Sequence, residues 1–179
     1  MKYCSSCGSS ELVKEIPEGD HRLRIVCKNC DTIHYINPNL IVGCLILNDK
    51  GEVMLCRRGI EPRLGYWNLP AGFLENDESV EIGALREVEE ETGARVKIEK
   101  LHSIYNVLKA QQVYLIFKAK MLDKHYTLTP ESTEIKFFNW KAIPWDEIAF
   151  SSNTHALKHW ISVLNGSSDE INIGTLELK

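Results

Sequence analysis

The sequence predicts an α+β fold, a mixed β-sheet with α-helices packed on it, with a small cysteine-rich module at its N-terminal end. Three observations lead there. Two Cys-x-x-Cys pairs stand within the first 30 residues. Apolar runs of strand length alternate with turn clusters from Asn39 onward. Two stretches, Val80 to Glu91 and His155 to Leu164, carry the helical period.

The strands follow from pattern. Leu40 to Leu47 is an unbroken apolar run and reads as a buried strand. Asn48-Asp49-Lys50-Gly51 makes a turn, and Glu52 to Arg57 alternates as the returning strand. Val96 to Tyr105, Val113 to Met121 and Glu134 to Trp140 complete the set. Cys44 and Cys56 fall on these strands as small core residues rather than nucleophiles. In the second helix Leu157, Trp160, Ile161 and Leu164 form one stripe. Asn165-Gly166-Ser167-Ser168 breaks the chain, and Ile171 to Leu178 alternates weakly beyond it. The expected organisation is therefore a module over residues 1–38, a larger domain over 39–165 and a tail over 166–179.

Composition bounds the function. The chain has 179 residues, 44% hydrophobic and 26% charged, which suits one globular domain with a small appendage. That length buries a core without help from metal or disulfides. A net charge of −4 and the lack of any lysine or arginine run argue against a nucleic-acid partner. Met1-Lys2-Tyr3-Cys4 carries no apolar leader and no segment is long enough to span a membrane. A cytoplasmic location without a membrane partner is expected.

Cys4 and Cys7, then Cys27 and Cys30 after 19 intervening residues, have the spacing of a four-cysteine zinc ribbon, with Glu18-Gly19-Asp20 as a turn between short strands. In a reducing compartment such pairs read as metal ligands before disulfides. Four thiolates leave no open coordination position, so a structural Zn2+ is expected. A redox dithiol would need a pair at a strand-to-helix junction, and neither pair sits at one. Histidines 21, 34, 102, 125, 155 and 159 show no paired spacing with the cysteines and read as ordinary residues. There is no Gly-x-Ser-x-Gly or Walker-type loop.

The chemistry points to the first helix. Glu87, Glu90 and Glu91 stand at i, i+3 and i+4, so their carboxylates share one face, while Ala84, Leu85 and Val88 lie on an adjacent one. Like charges at that spacing destabilise an isolated helix, and a hard divalent cation reverses the sign. A solvated acidic face is the other reading of the same spacing. The wider segment decides between them. Gly72, five residues, Glu78, seven residues, then Arg86-Glu87-Val88-x-Glu90-Glu91-x-Gly93-Ala94 resembles the Nudix box at every charged and glycine position. Ala94 stands where that family has a larger aliphatic, at a position that supports packing.

The resemblance implies the Nudix fold, a mixed sheet sandwiched by helices, and a hydrolase of diphosphate linkages. It implies Glu87, Glu90 and Glu91 as ligands of Mg2+ (or Mn2+), helped by a backbone carbonyl at Ala71 or Gly72. Arg86 would orient the carboxylates, with Glu78 as its partner. Water attacks phosphorus, and a general base comes from the box helix or a later loop. Glu131 and Glu134 are the loop candidates, Glu134 preferred because it directly precedes a strand. Arg57, Arg58 and Arg63 are candidates to hold phosphate. Tyr66, Tyr105, Tyr114 and Phe150 are candidate stacking groups, though each reads first as a core residue, and Trp67 reads as packing.

Two Nudix subgroups carry a zinc ribbon. The NADH diphosphatases have a Ser-Gln-Pro-Trp-Pro-Phe-Pro run after the box, where this chain reads Val107-Leu108-Lys109-Ala110-Gln111-Gln112-Val113. The plant-type FAD and ADP-ribose diphosphatases are similar over nearly the whole chain. The similarity includes Glu15-Ile16-Pro17-Glu18-Gly19, Leu55-Cys56-Arg57-Arg58, Pro130-Glu131-Ser132 and Ile148-Ala149-Phe150-Ser151-Ser152. ADP-ribose-specific relatives often have a proline about fifteen residues beyond the box, and this chain has none there. The implied substrate is FAD or ADP-ribose, releasing AMP. An NADH diphosphatase or a non-catalytic ligand-sensing Nudix-like module is the alternative. A homodimer through the ribbon or tail stays open.

Overall fold

In the computed structural model, which describes residues 1–176, the chain divides into two compact units that meet between Asn37 and Pro38. The first is a small antiparallel sheet of β1 (Leu12–Glu15), β2 (Arg24–Cys27) and β3 (Ile33–His34), in that order. The expected turn is there. The Asp20 N–H donates to the Pro17 carbonyl at 3.0 Å, with Gly19 at φ 80°. The Asp20 carboxylate then accepts from the His21 and Arg22 N–H groups and from Arg24 Nε at 2.8 Å. The two cysteine pairs sit on matching knuckles. Gly8 N–H donates to the Cys4 carbonyl and Asp31 N–H to the Cys27 carbonyl, each at 2.9 Å. Each knuckle closes on a left-handed residue, Gly8 at φ 75° and Asp31 at φ 57°.

The second unit is built on β4 (Asn39–Leu47), β5 (Val53–Arg58), β6 (Trp67–Asn68), β7 (Ala71–Phe73), α1 (Val80–Thr92), β8 (Val96–Val107), β9 (Gln112–Met121), β10 (Ser132–Phe138), α2 (Ser151–Leu164) and β11 (Asn172–Leu176). Its sheet runs β10-β5-β4-β9-β8-β11, with β6 on β5 and β7 on β4. The pairs β4–β9 and β8–β11 are parallel and the others antiparallel, so the sheet is mixed.

Why β4 reads as a continuous apolar run is now clear. Val42, Cys44 and Ile46 pack with Ala84 and Val88 of α1, whereas Leu45 and Leu47 pack with Ala156, Leu157 and Trp160 of α2. A strand covered on both faces has no solvent side to mark with polar residues. Cys44 and Cys56 are fully buried in the α1-side core, and burial pushes the Cys44 thiol up to about 12, so neither is a nucleophile.

Several boundaries moved. α2 starts at Ser151, a turn earlier than the periodic stripe, because Ser152 and Asn153 are buried without being apolar. The weak alternation of the tail is β11, which adds in parallel to β8. Leu178 lies outside the described residues. The two-residue β6 and three-residue β7 carry too short a pattern to be read in advance.

Candidate active site and metal centres

The helix that carries the acidic motif is fixed at both ends. Ser79 caps α1 by accepting from the Ile82 N–H at 3.3 Å, and Gly93 ends it in the left-handed conformation, its N–H donating to the Glu89 carbonyl. Val88 and Ala84 anchor it to the sheet, Glu87 and Glu91 lie against β7, and Glu90 is the most exposed of the three. The Glu87 side chain is 12% exposed and that of Glu90 59%, while Glu91 is buried.

Arg86 ties the group together. Its Nη1 donates to Glu87 Oε1 at 2.7 Å and Glu90 Oε2 at 2.9 Å. Its Nε and Nη2 grip Glu78 at 2.9 and 2.6 Å, and Nη2 also reaches the Phe73 carbonyl at 3.0 Å. The paired guanidinium holds the Glu78 carboxyl down at about 2. Glu91 has no such partner and accepts only from the Ala71 N–H at 3.2 Å. Burial drives it up to about 8. The Ala71 N–H opposes that shift, the negative charges of Glu87 and Glu131 add to it, and the positive charge of Arg58 counters it. Glu87 is also raised, first by burial.

Burial and the neighbouring carboxylates disfavour the ionised form of Glu91, a cost that a bound cation would offset. The oxygen-only donor set fits a hard divalent ion. The backbone fits as well. A Cβ at Gly72 would fall on the Glu87 carboxylate and push it aside, so the glycine lets that carboxylate lie directly against the β7 main chain.

The loop carboxylates do not share this corner equally. Glu134, preferred from sequence because it precedes a strand, lies inside β10 instead. It is taken up by Lys136 and by Arg57 Nη1, the latter at 3.4 Å. Glu131 is the one whose charge reaches both Glu87 and Glu91. Its loop is pinned to the site by two hydrogen bonds, Gly59 N–H to the Glu131 carbonyl at 2.8 Å and Thr129 Oγ1 to the Glu91 carbonyl at 3.1 Å. The sequence placed both carboxylates in one loop. What it could not show was the strand starting at Ser132, which turns Glu134 towards its ladder partner Arg57.

The basic candidates also separate. Arg57 is fully engaged, with Nε on the Gly65 carbonyl at 2.9 Å, Nη1 on Glu134 and Nη2 on Glu147 at 3.0 Å, over the Trp67 ring. Glu147, 90 residues away in sequence, gave no local signal. Arg58 stacks over Phe150 at 5.0 Å and Arg63 over Tyr66 at 5.4 Å. Trp67 and Tyr105 are buried core residues. Tyr114 and Phe150 are half-buried, and Tyr114 donates to Gln112 Oε1 at 3.0 Å.

In the ribbon the four sulfurs of Cys4, Cys7, Cys27 and Cys30 all lie within 4.8 Å of one another, with Cys4–Cys30 at 3.7 Å and Cys7–Cys27 at 3.6 Å. Four thiols gathered this closely are the number and kind of donors that a tetrahedral zinc site uses. Among the described residues this is the one gathered cluster of metal-binding side chains.

The chain belongs to the Nudix family. Residues 37–163 match the NUDIX domain, and residues 2–36 match the zinc ribbon described as Nudix N-terminal. It is a Nudix hydrolase with an N-terminal zinc ribbon. The crystal structure of a NUDIX hydrolase from Nitrosomonas europaea is similar at 41% identity with a TM-score of 0.91, over 98% of this chain and 99% of that one. An ADP-ribose pyrophosphatase of Methanocaldococcus jannaschii is 26% identical over 74% of this chain and 78% of its own. The NAD-capped RNA hydrolase NudC of Pseudomonas aeruginosa is 25% identical over 95% of this chain. The chain spans 59% of that relative, and 60% of a MutT-like protein of Streptomyces ambofaciens. No helix of the described residues is long and apolar enough to cross a membrane.

Proposed function

We propose that this chain is a Mg2+- or Mn2+-dependent diphosphatase of the plant-type FAD and ADP-ribose group, acting in the cytoplasm on a small dinucleotide and releasing AMP. The observation that carries the reading is the box itself, complete at Glu87, Glu90 and Glu91 and backed by the Ala71–Gly72 main chain. A divalent ion at these carboxylates neutralises the diphosphate and makes its bound water acidic. Glu91, buried, and Glu87, largely so, would hold the ion from the protein side, and the more exposed Glu90 would complete the set from the solvent side. Arg86 keeps Glu87 and Glu90 on the same side of α1. Glu131 takes the proton of the attacking water as general base, in place of Glu134. The ribbon holds a structural zinc through its four cysteines.

The choice of FAD or ADP-ribose rests on the sequence resemblance and on the missing NADH-diphosphatase run. A second reading is supported by the match to a NAD-capped RNA hydrolase over 95% of this chain. Comparing kcat/KM for FAD, ADP-ribose, NADH, NAD-capped RNA and a nucleoside triphosphate at one Mg2+ concentration separates them. Stacking offers about 1 kcal/mol, roughly a fivefold preference, so cross-reactivity among dinucleotides is expected. A lead of tenfold or more for NADH, capped RNA or the triphosphate overturns the substrate assignment. Release of no AMP from any of them overturns the reaction.

A further inference from the structure

An α-helix leaves the carbonyls of its last turn without partners of its own. At the end of α1 a distant loop supplies them. Thr127 N–H donates to the Thr92 carbonyl at 2.8 Å, and Thr129 Oγ1 donates to the Glu91 carbonyl at 3.1 Å. Gly93 makes room for this approach, since a Cβ there would fall on the Thr127 methyl group. The box helix is thus capped by the segment that carries Glu131.

Thr129 sits at the crossing. A hydroxyl has one proton to give and two lone pairs to accept with. Here the proton goes to the Glu91 carbonyl, and the lone pairs take the N–H groups of Glu131 at 3.3 Å and Ser132 at 3.2 Å. Ser132 N–H also reaches the Thr129 carbonyl at 3.2 Å. Among the described residues Glu131 N–H has the Thr129 hydroxyl alone. On its other side the Glu131 carbonyl accepts from Gly59 N–H at 2.8 Å. The main chain of Glu131 is therefore held at both its donor and its acceptor, while the residue itself is exposed.

We propose that Thr129 is the residue that positions Glu131. Through one hydroxyl it couples the main chain of Glu91, in the box helix, to the main chain of Glu131, and so sets where the Glu131 carboxylate stands relative to the box. The hydroxyl matters here and not the bulk, because valine in its place would keep the volume and lose all three bonds.

This rests on the reading of Glu131 as general base, and its test separates the two. The full chain is assayed on FAD or ADP-ribose, whichever it turns over faster, as wild type, Thr129→Val, Thr129→Ser, Glu131→Gln and the Thr129→Val/Glu131→Gln double variant. Thr129→Ala replaces Thr129→Val if the valine protein does not fold. Mn2+ affinity is measured on each, and exchange of the Glu131 amide with water is followed by NMR. Thr129→Val should lower kcat by about tenfold or more, with KM and Mn2+ affinity within about twofold of wild type. Thr129→Ser should bring kcat back to within about threefold. The Glu131 amide should exchange about fivefold faster in Thr129→Val. In the Glu131→Gln background the valine should cost less than about twofold more, since a residue acting only through Glu131 has nothing left to position. A folded Thr129→Val protein with normal kcat overturns the proposal. So does a loss undiminished in the Glu131→Gln background, or a serine variant that restores nothing. Normal kcat in Glu131→Gln alone sinks the base reading instead. Amide exchange then decides the tether by itself: faster exchange at Glu131 in Thr129→Val supports it, and unchanged exchange overturns it.

Discussion

The four cysteines of the ribbon and the carboxylates of the acidic box are built on opposite plans. In the ribbon the four thiols of Cys4, Cys7, Cys27 and Cys30 converge on one point, held by matched backbone knuckles. At the box, Arg86 is wedged among the carboxylates, bonding Glu78, Glu87 and Glu90 at once, while Glu91 turns away to the Ala71 N–H. A full tetrahedral set has no place for substrate. A carboxylate set that is incomplete until an ion arrives keeps positions open for water and phosphate. Convergence suits a structural site, and partial convergence suits a chemical one.

The sharpest way to break this contrast is to remove charge from the open site. Glu90→Gln and Glu91→Gln should each lower kcat by about a thousandfold with the fold retained by circular dichroism. Near-normal turnover in both would end the metal assignment. Next comes the base. Glu131→Gln should cost about a hundredfold, whereas Glu134→Gln should stay within about twofold, because its partners are Arg57 and Lys136 rather than the box. The reverse ranking would restore the strand-based preference.

Protons give a finer test. Glu91 in the metal-free chain titrates at about 8, well above an ordinary carboxyl. A group raised on folding favours the folded state below its unfolded value, and that contribution is lost as pH rises through the folded one. Chelated protein should therefore melt at lower temperature as pH goes from about 6 to about 9. Mn2+ affinity runs the other way, tightening by about tenfold per pH unit up to about 8, since the ion needs the ionised form. A pH-independent affinity over that range contradicts the Glu91 assignment. The smallest effect belongs to the closed site. Elemental analysis should find one zinc per chain, and Cys27→Ser should expose residues 1–37 to protease while kcat changes by less than about twofold. A large loss of kcat would mean that the ribbon serves the chemistry.

How much of this was legible in advance depended on where the information lies. Cys4 to Cys30 and Gly72 to Gly93 are local patterns, the first picked out by its spacing and the second by its resemblance to the Nudix box, so both could be singled out in advance. The major strands and helices were found from periodicity, with α2 begun late because Ser152 and Asn153 are buried polar residues. What a linear reading did not carry was the side-chain pairing across the sheet. The fate of Glu134 depends on a ladder with Arg57, 77 residues away, and Arg57 is itself captured by Glu147. Sequence alone cannot tell which arginine a distant carboxylate captures, which is why Arg57 and Arg58 looked alike.

The parallel pairing of β4 with β9 sets a schedule for synthesis. Asn39 lies opposite Gln112, so the central strand waits 73 residues for its main partner. At about 5–20 residues per second on the ribosome, that is roughly 4–15 s. Meanwhile seven consecutive core residues, Ile41 to Leu47, have only β5 and β7 to pair with. The nascent chain is thus most exposed to misassociation during one interval, after the β5 hairpin emerges and before β9 does. A slow codon or a stalled ribosome inside that window would lower the yield of folded protein more than the same delay placed after Met121.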